Sequence, residues 1–227
     1  MPDKGTLLIF GATRGVGLEL ARHARAQGRA VTAFVRPGST VEALQAIGAT
    51  LLRGDALSSE DVARAIAGTP GDIDIVSTLG GRAQDGRRAD DEGNINVVRT
   101  AVDSGRTRRV VLITSIGCGE MAPFRSARAI SAFGAAVDAK TRAEDALRRS
   151  GLDWTILRPG GLISEPATGK AILSTDPEMH GIVHREDVAL MTLRTLRDPA
   201  TVGHAFAIVD SGRMQCANPV QPFPLSA

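Results

Sequence analysis

The residues with the clearest chemical meaning are Gly11-Ala12-Thr13-Arg14-Gly15-Val16-Gly17, which follow the apolar run Thr6-Leu7-Leu8-Ile9-Phe10 and open a segment with helical spacing of apolar residues. Glycines in such a turn allow the backbone to close tightly and to approach a ligand. The helix that follows presents unpaired N–H groups to an anion, above all the pyrophosphate of a dinucleotide. The same string without a ligand would be an ordinary glycine turn; its place between a strand and a helix gives it meaning. A second chemical signal stands at the end of the next strand, in Phe34-Val35-Arg36-Pro37-Gly38-Ser39. NAD binders place an acid there to hold the ribose hydroxyls, whereas a guanidinium suits a 2′-phosphate. Arg36, helped by Arg14 and Ser39, therefore points to NADP(H) as the preferred cofactor, with NAD(H) still possible; the alternative is a solvated arginine at a strand end.

Elements that would position these residues recur along the chain. Apolar, β-rich runs at Thr6–Phe10, 30–35, Thr50–Arg53, 73–79, 109–114, 154–157 and 205–209 alternate with amphipathic stretches at 18–27, 41–47, 60–67, 94–104, 136–150 and 186–197. This is the sequence form of repeated βαβ units, and it predicts an α/β, doubly wound Rossmann fold: a mostly parallel sheet of about seven strands with helices on both faces. Gly28, Gly48, Gly68, Gly105 and Gly151 sit where left-handed helix C-caps are expected. The charged stretch 82–93 reads as a surface loop or frayed helix start, and 160–182, with Pro166, Gly169 and Pro177, as irregular chain near the crevice. Residues 1–212 are expected to form a single NAD(P)-binding domain, and 213–227, Pro-rich towards its end, a flexible tail.

Composition narrows the partners. The 227 residues are 43% hydrophobic and 23% charged, and 27 Lys and Arg offset 25 Asp and Glu for a net charge of +2. With no basic face or tail, nucleic acid is a poor partner. No window approaches the roughly 18 apolar residues of a membrane span, and Met1-Pro2-Asp3-Lys4 lead into the first strand without an apolar signal region. The expectation is a cytoplasmic protein, a monomer or small homo-oligomer, acting on a small-molecule substrate away from membranes. Cys118 and Cys216 are isolated, so neither a structural disulfide nor a metal site is expected from them. There is no tyrosine in the chain.

Further motifs carry a family likeness. Together with the glycine turn, Val35-Arg36, Arg53-Gly54-Asp55, Thr114-Ser115, the run from Ser150-Gly151-Leu152-Asp153-Trp154 through Arg158-Pro159-Gly160, and His184-Arg185-Glu186-Asp187-Val188-Ala189, it resembles the atypical short-chain dehydrogenase/reductase family. The likeness is to its NAD(P)H-binding branch related to biliverdin-IXβ reductase/flavin reductase and to NmrA-like proteins. The resemblance implies that Gly11, Thr13, Arg14, Gly15, Val16 and Gly17 hold the cofactor and that Asp55 and Ala56 lie beside its adenine. Thr78, Leu79 and Gly80 would line it, and Pro159, Gly160, Gly161 and Leu162 would flank the nicotinamide. Asp55 reads equally as a turn-former after Gly54. His184 and Asp187 read better as the start and cap of a helix than as reactants, and 164–169 is similar to the substrate-side segment of the flavin reductase branch.

Classical members of this family use a Ser, a Tyr and, four residues on, a Lys. Ser115 matches the first and Lys140 the last, but the position between is Ala136. Ser115 would then orient an acceptor and Lys140 hold the nicotinamide ribose; each also has a bland reading, as a turn serine and a solvated helix lysine. Reduction of an unactivated ketone gains typically 10²- to 10⁴-fold from a placed proton donor. Its loss favours an NADPH-dependent oxidoreductase, a reductase of small conjugated acceptors such as flavins, quinones or tetrapyrroles, which spread the incoming charge. The alternatives are a non-catalytic NADP(H)-binding sensor, an epimerase- or isomerase-type tailoring enzyme with bound cofactor, or a substitute donor such as His180 or Asp138.

Overall fold

The structure, a computed structural model, describes residues 5–226. In chain order it runs β1 (Thr6–Phe10), α1 (Gly15–Ala26), β2 (Val31–Val35), α2 (Glu42–Ala46), β3 (Thr50–Arg53), α3 (Ser59–Gly68) and β4 (Ile73–Ser77). A π-helical turn, Ala89–Gly93, leads into α4 (Asn94–Ser104), followed by β5 (Thr107–Ile113), a 3-10 turn at Gly119–Phe124, and α5 (Ala127–Arg148). The chain ends with β6 (Trp154–Pro159), β7 (Gly161–Ile163), β8 (Ala171–Ser174), β9 (His180–His184), α6 (Arg185–Arg197), β10 (His204–Asp210) and β11 (Met214–Gln215).

Eight strands form one sheet in the order β3-β2-β1-β4-β5-β6-β10-β8, with only β8 antiparallel, against β10. The predicted doubly wound fold is the observed one, with an extra edge strand. Side chains alternate across the sheet. Leu7 and Ile9 of β1 join Ala33, Val76 and Val111 in a core under α1 and α6; Leu8 and Phe10 join Phe34, Ile75 and Leu112 in a second core under α3, α4 and α5. Both faces of β1 are therefore covered, which explains its continuous apolar run. The strand order turns between β1 and β4, opening the ligand crevice expected at such a switch point.

Four expectations need correction. The stretch 160–182 is only partly irregular: β7 pairs with β9, β9 with β11, and β8 extends the main sheet. Each strand is too short for its alternation to stand out from sequence. Helix α5 starts at Ala127, well before residue 136, capped by the Ser126 hydroxyl accepting from the Ala129 N–H at 3.2 Å. Its first turns leave Ile130 and Phe133 exposed, so they lack an inward-facing stripe. The stretch 82–93, by contrast, is the expected surface loop, running through the π-helical turn into α4 with Asp90 buried beneath it. The segment expected to be a flexible tail docks instead: the Phe223 N–H donates to the Leu173 carbonyl at 2.8 Å, its ring packs on Phe206, and the Ser226 N–H donates to Asp198 at 2.6 Å. Among the glycines, Gly28, Gly48, Gly105 and Gly151 are left-handed, whereas Gly68 ends α3 with an ordinary conformation. Met1–Lys4 and Ala227 lie outside the described residues. Among those described, no helix is long and apolar enough to cross a membrane.

Candidate functional site

The turn after β1 is shaped by the absence of side chains. Gly11 (φ +86°) and Gly15 (φ +57°) adopt left-handed conformations. A Cβ on Gly17 would stand 2.3 Å from the Gly11 carbonyl oxygen, so α1 seats on the turn only because Gly17 has none. At the start of α1, Arg14 offers no side-chain cap and the first turn holds no acid. Its N–H groups and the positive end of the helix are left for an external anion. The cradle fits a dinucleotide pyrophosphate.

Beside the glycine turn, β2 ends at Val35 and Arg36 emerges exposed, its guanidinium without a partner among the described residues. Ser39 closes the following turn by donating its N–H to the Arg36 carbonyl at 3.1 Å. Asp55 is exposed and accepts from the Leu57 N–H at 2.9 Å, so its turn-forming role is realised in the fold. Ala56 is buried, and its carbonyl accepts from Asn96 at 2.9 Å.

The loop after β4 runs against the glycine turn, with the Thr78 N–H bonded to the Phe10 carbonyl at 2.9 Å and its hydroxyl 3.0 Å from that of Gly11. Leu79 and Gly80 follow. The Leu79 carbonyl accepts from Lys140 Nζ at 3.3 Å, and Asp90 receives Lys140 on Oδ1 at 3.1 Å and the Gly81 N–H on Oδ2 at 3.0 Å. Asp90 is only 2% exposed. Lys140 thus sits at the crevice but is engaged by the β4 loop, a partnership hidden in sequence because Asp90, Asp91 and Glu92 look alike there. Asn94, equally unforeseen, accepts from the Ser77 hydroxyl at 2.5 Å and donates to the Asp90 carbonyl at 2.9 Å.

Ser115 lies just beyond β5, half-buried, its hydroxyl without a protein partner among the described residues. Ala136 stands one turn before Lys140 on α5, where a tyrosine would complete the classical trio. One turn beyond Lys140, Glu144 is buried and accepts from Thr114 at 2.6 Å and from Arg158 at 3.0 and 2.5 Å. Arg158 also reaches Glu120 at 2.9 Å. This cluster locks α5 against β5 and β6 and so sets the height of Lys140. Burial tends to raise the Glu120 carboxyl, but Arg158 and Arg148 prevail and hold it down at about 2. Burial, with Glu144 adding to it, pushes the nearby Cys118 thiol up to about 12, which leaves it inert as a nucleophile.

Across the crevice, Pro159 ends β6. A Cβ on Gly160 would lie 2.3 Å from the Gly181 carbonyl oxygen, so the chain passes tightly into β7, where Gly161 and Leu162 are exposed. The 164–169 segment is held by side chains of α6 and β10. Glu186 accepts from the Ala167 N–H at 2.9 Å, Asp187 from the Thr168 and Gly169 N–H groups at 2.8 and 2.9 Å, and Asp210 from the Thr168 hydroxyl at 2.6 Å. His184 is buried, with Nδ1 3.4 Å from Asp187. His184 does occupy the backbone start of α6 but makes no side-chain cap, and Asp187 spends its carboxylate on the loop. The Thr168 hydroxyl, ahead of the Gly212 N–H and His184, holds the Asp210 carboxyl below its usual range against the effect of burial. Of the two substitute donors, Asp138 is paired with Arg125 at 2.7 Å. His180 borders a cleft of about 310 Å³ with Phe124, Glu178 and Gln215.

Comparison with known proteins bears on the family and the fold. A family model described as NAD(P)H-binding matches residues 11–199. The fold superposes on ChuY, an anaerobillin reductase from Escherichia coli O157:H7, with a TM-score of 0.83 and 37% identity over 91% of this chain and 97% of that one. It also superposes on an NAD-dependent epimerase/dehydratase-like protein from Bacillus halodurans, with a TM-score of 0.77 and 26% identity over 91% and 94% of the two chains. A Bacillus subtilis protein named as an uncharacterised sugar epimerase, YhfK, is 40% identical over 72 residues, 32% of this chain; the match spans only 33% of that relative's length. With a family match covering most of the chain and a glycine turn that fits a dinucleotide pyrophosphate, the protein belongs to the NAD(P)H-binding family of atypical short-chain dehydrogenases/reductases.

Proposed function

We propose that this protein is an NADPH-dependent reductase of a conjugated acceptor, and that the acceptor is a linear tetrapyrrole of the anaerobillin class. The observation that carries the reading is Ala136 beside Lys140, in a chain without tyrosine. The crevice offers a lysine already engaged by Asp90 and a half-buried serine, but no phenol to protonate an alkoxide. A linear tetrapyrrole needs none, because the charge delivered with a hydride spreads along its conjugated bridges and the proton can follow from water.

When bound, the nicotinamide supplies the hydride. The chain's own residues do the rest: the α1 N-terminus and the glycine turn seat the pyrophosphate, Arg36 receives the 2′-phosphate, and Lys140 fixes the loop on which the nicotinamide ribose rests. Ser115 hydrogen-bonds the acceptor. The preference for NADPH rests on the unpaired guanidinium of Arg36 and the lack of an acid at the end of β2. The similarity to ChuY over nearly the whole of both chains supports the acceptor class.

The test is NADPH oxidation with a linear tetrapyrrole as acceptor, the reduced pigment being followed by its own spectrum. Turnover with loss of conjugation is the expected result; no turnover by protein shown to bind NADPH would sink the reading. The epimerase names among the relatives support a second one, in which a dinucleotide stays bound and the hydride returns to the substrate. Nucleotide retained through gel filtration would favour it over an exchanging reductase.

A further inference from the structure

We propose that Arg185 is a ligand of the dinucleotide pyrophosphate and couples cofactor binding to the acceptor-side segment. The inference rests on the reading that the α1 N-terminus holds the dinucleotide. Arg185 is the first residue of α6 and follows β9 directly. β7 lies parallel to β9, with Ile163 opposite His184, so Arg185 stands at the ends of both strands. Its side chain reaches back over the glycine turn: Cδ and Nε are each 3.6 Å from where a Cβ on Gly15 would be. A Cβ at 15 would be in ordinary contact with this side chain, which places Arg185 directly over the left-handed Gly15 at the α1 N-terminus.

The partners of Arg185 are all neutral. Nη1 donates to the Leu162 carbonyl at 3.1 Å and to the Ser164 hydroxyl at 2.6 Å, and no carboxylate pairs with the guanidinium among the described residues. Arg142 on Asp91 and Arg158 on Glu144 show the usual alternative. A guanidinium carries five donors in a rigid fork that matches phosphate oxygens. Here one edge is fastened to the acceptor segment, while Nε passes beside a turn shaped for an anion. Pyrophosphate seated there completes the charge pairing of Arg185 and thereby steadies Leu162 and Ser164. Cofactor binding first and acceptor second follows as the productive order.

The test compares dissociation constants for NADPH and NADH, which share the pyrophosphate and differ in the 2′-phosphate. Arg185→Met is expected to weaken both equally, by about ten- to a hundredfold, whereas Arg36→Ala weakens NADPH alone. Arg185→Lys keeps a point charge and should recover part of the loss. In the wild type, NADPH should slow amide hydrogen exchange over 164–169. Ser164→Ala, which keeps the guanidinium, should lose that protection while binding within about threefold of wild type. Should Arg185→Met not fold, Arg185→Lys and Ser164→Ala decide the matter by the same readouts. Unchanged affinity in Arg185→Met, or a loss confined to NADPH, overturns the proposal. Wild-type protein that binds neither dinucleotide would bring down the functional reading along with it.

Discussion

The two walls of the crevice are built by different means. The wall we assign to the cofactor, the turn between β1 and α1, consists of backbone: Gly11 and Gly17 leave no room for a Cβ, Gly15 is left-handed, and the start of α1 has no side-chain cap on its N–H groups. The wall we assign to the acceptor, from Gly160 to His184, is a small sheet and a loop held by side chains from elsewhere, chiefly Glu186, Asp187 and Asp210. A backbone cradle suits a ligand whose phosphates never change. A wall tied on by side chains can be reshaped by a few substitutions without disturbing the sheet, as one scaffold serving many acceptors requires.

Asp187→Ala should break the acceptor wall alone. It removes the acceptor for two backbone N–H groups and the partner of buried His184, a loss on the order of 4 kcal/mol at 1.5–3 kcal/mol for each charged hydrogen bond. Thermal unfolding should fall by about 8–16 °C. In protein that remains folded, the acceptor KM should rise while NADPH affinity holds. Equal damage to both ligands would erase the distinction between the walls. Gly17→Ala is the converse, forcing a Cβ onto the Gly11 carbonyl. Such overpacking costs about 2–3 kcal/mol, and calorimetric titration should show weakened NADPH binding, with little change in the exchange of the ligand-free protein over 164–169.

Arg36→Ala sharpens the cofactor wall, lowering NADPH affinity by about thirtyfold, or about 2 kcal/mol, and leaving NADH affinity and melting temperature unchanged. A parallel loss for NADH would place Arg36 on some other group. The smallest effect concerns the ion cluster behind both walls. Because the Glu120 carboxyl is held down at about 2 from an ordinary value of 4.5, its contribution to stability is complete above pH 4.5 and is lost as pH falls towards 2. Glu120 is half exposed, so solvent screening keeps that contribution under about 1 kcal/mol. Urea unfolding of Glu120→Gln should converge on wild type across this window, and a constant gap would contradict the account.

The same contrast explains what could be read without coordinates. The strand-turn-helix at residues 11–17 is legible because its rules are local: a strand, glycines at fixed spacing and a helix start declare themselves within a dozen neighbouring residues, and α4 is bounded by its own periodicity and Gly105. The acceptor wall depends on contacts between distant residues. Nothing near Thr168 announces Asp210, and nothing near Gly15 announces Arg185. Lys140 stands out only through the family register, and its partner Asp90 is indistinguishable in sequence among three adjacent acids. The early turns of α5 escaped because Ile130 and Phe133 face outward, where helical periodicity reports no core.

The most direct test of the central claim is the selectivity of NADPH-dependent turnover between a linear tetrapyrrole and a simple unactivated ketone, measured as the ratio of kcat/KM. A crevice with Ala136 in place of a phenolic donor predicts ready reduction of the tetrapyrrole and a ketone rate lower by at least about a hundredfold. Ketone reduction at a comparable rate would show that another group donates the proton and that the acceptor assignment is wrong.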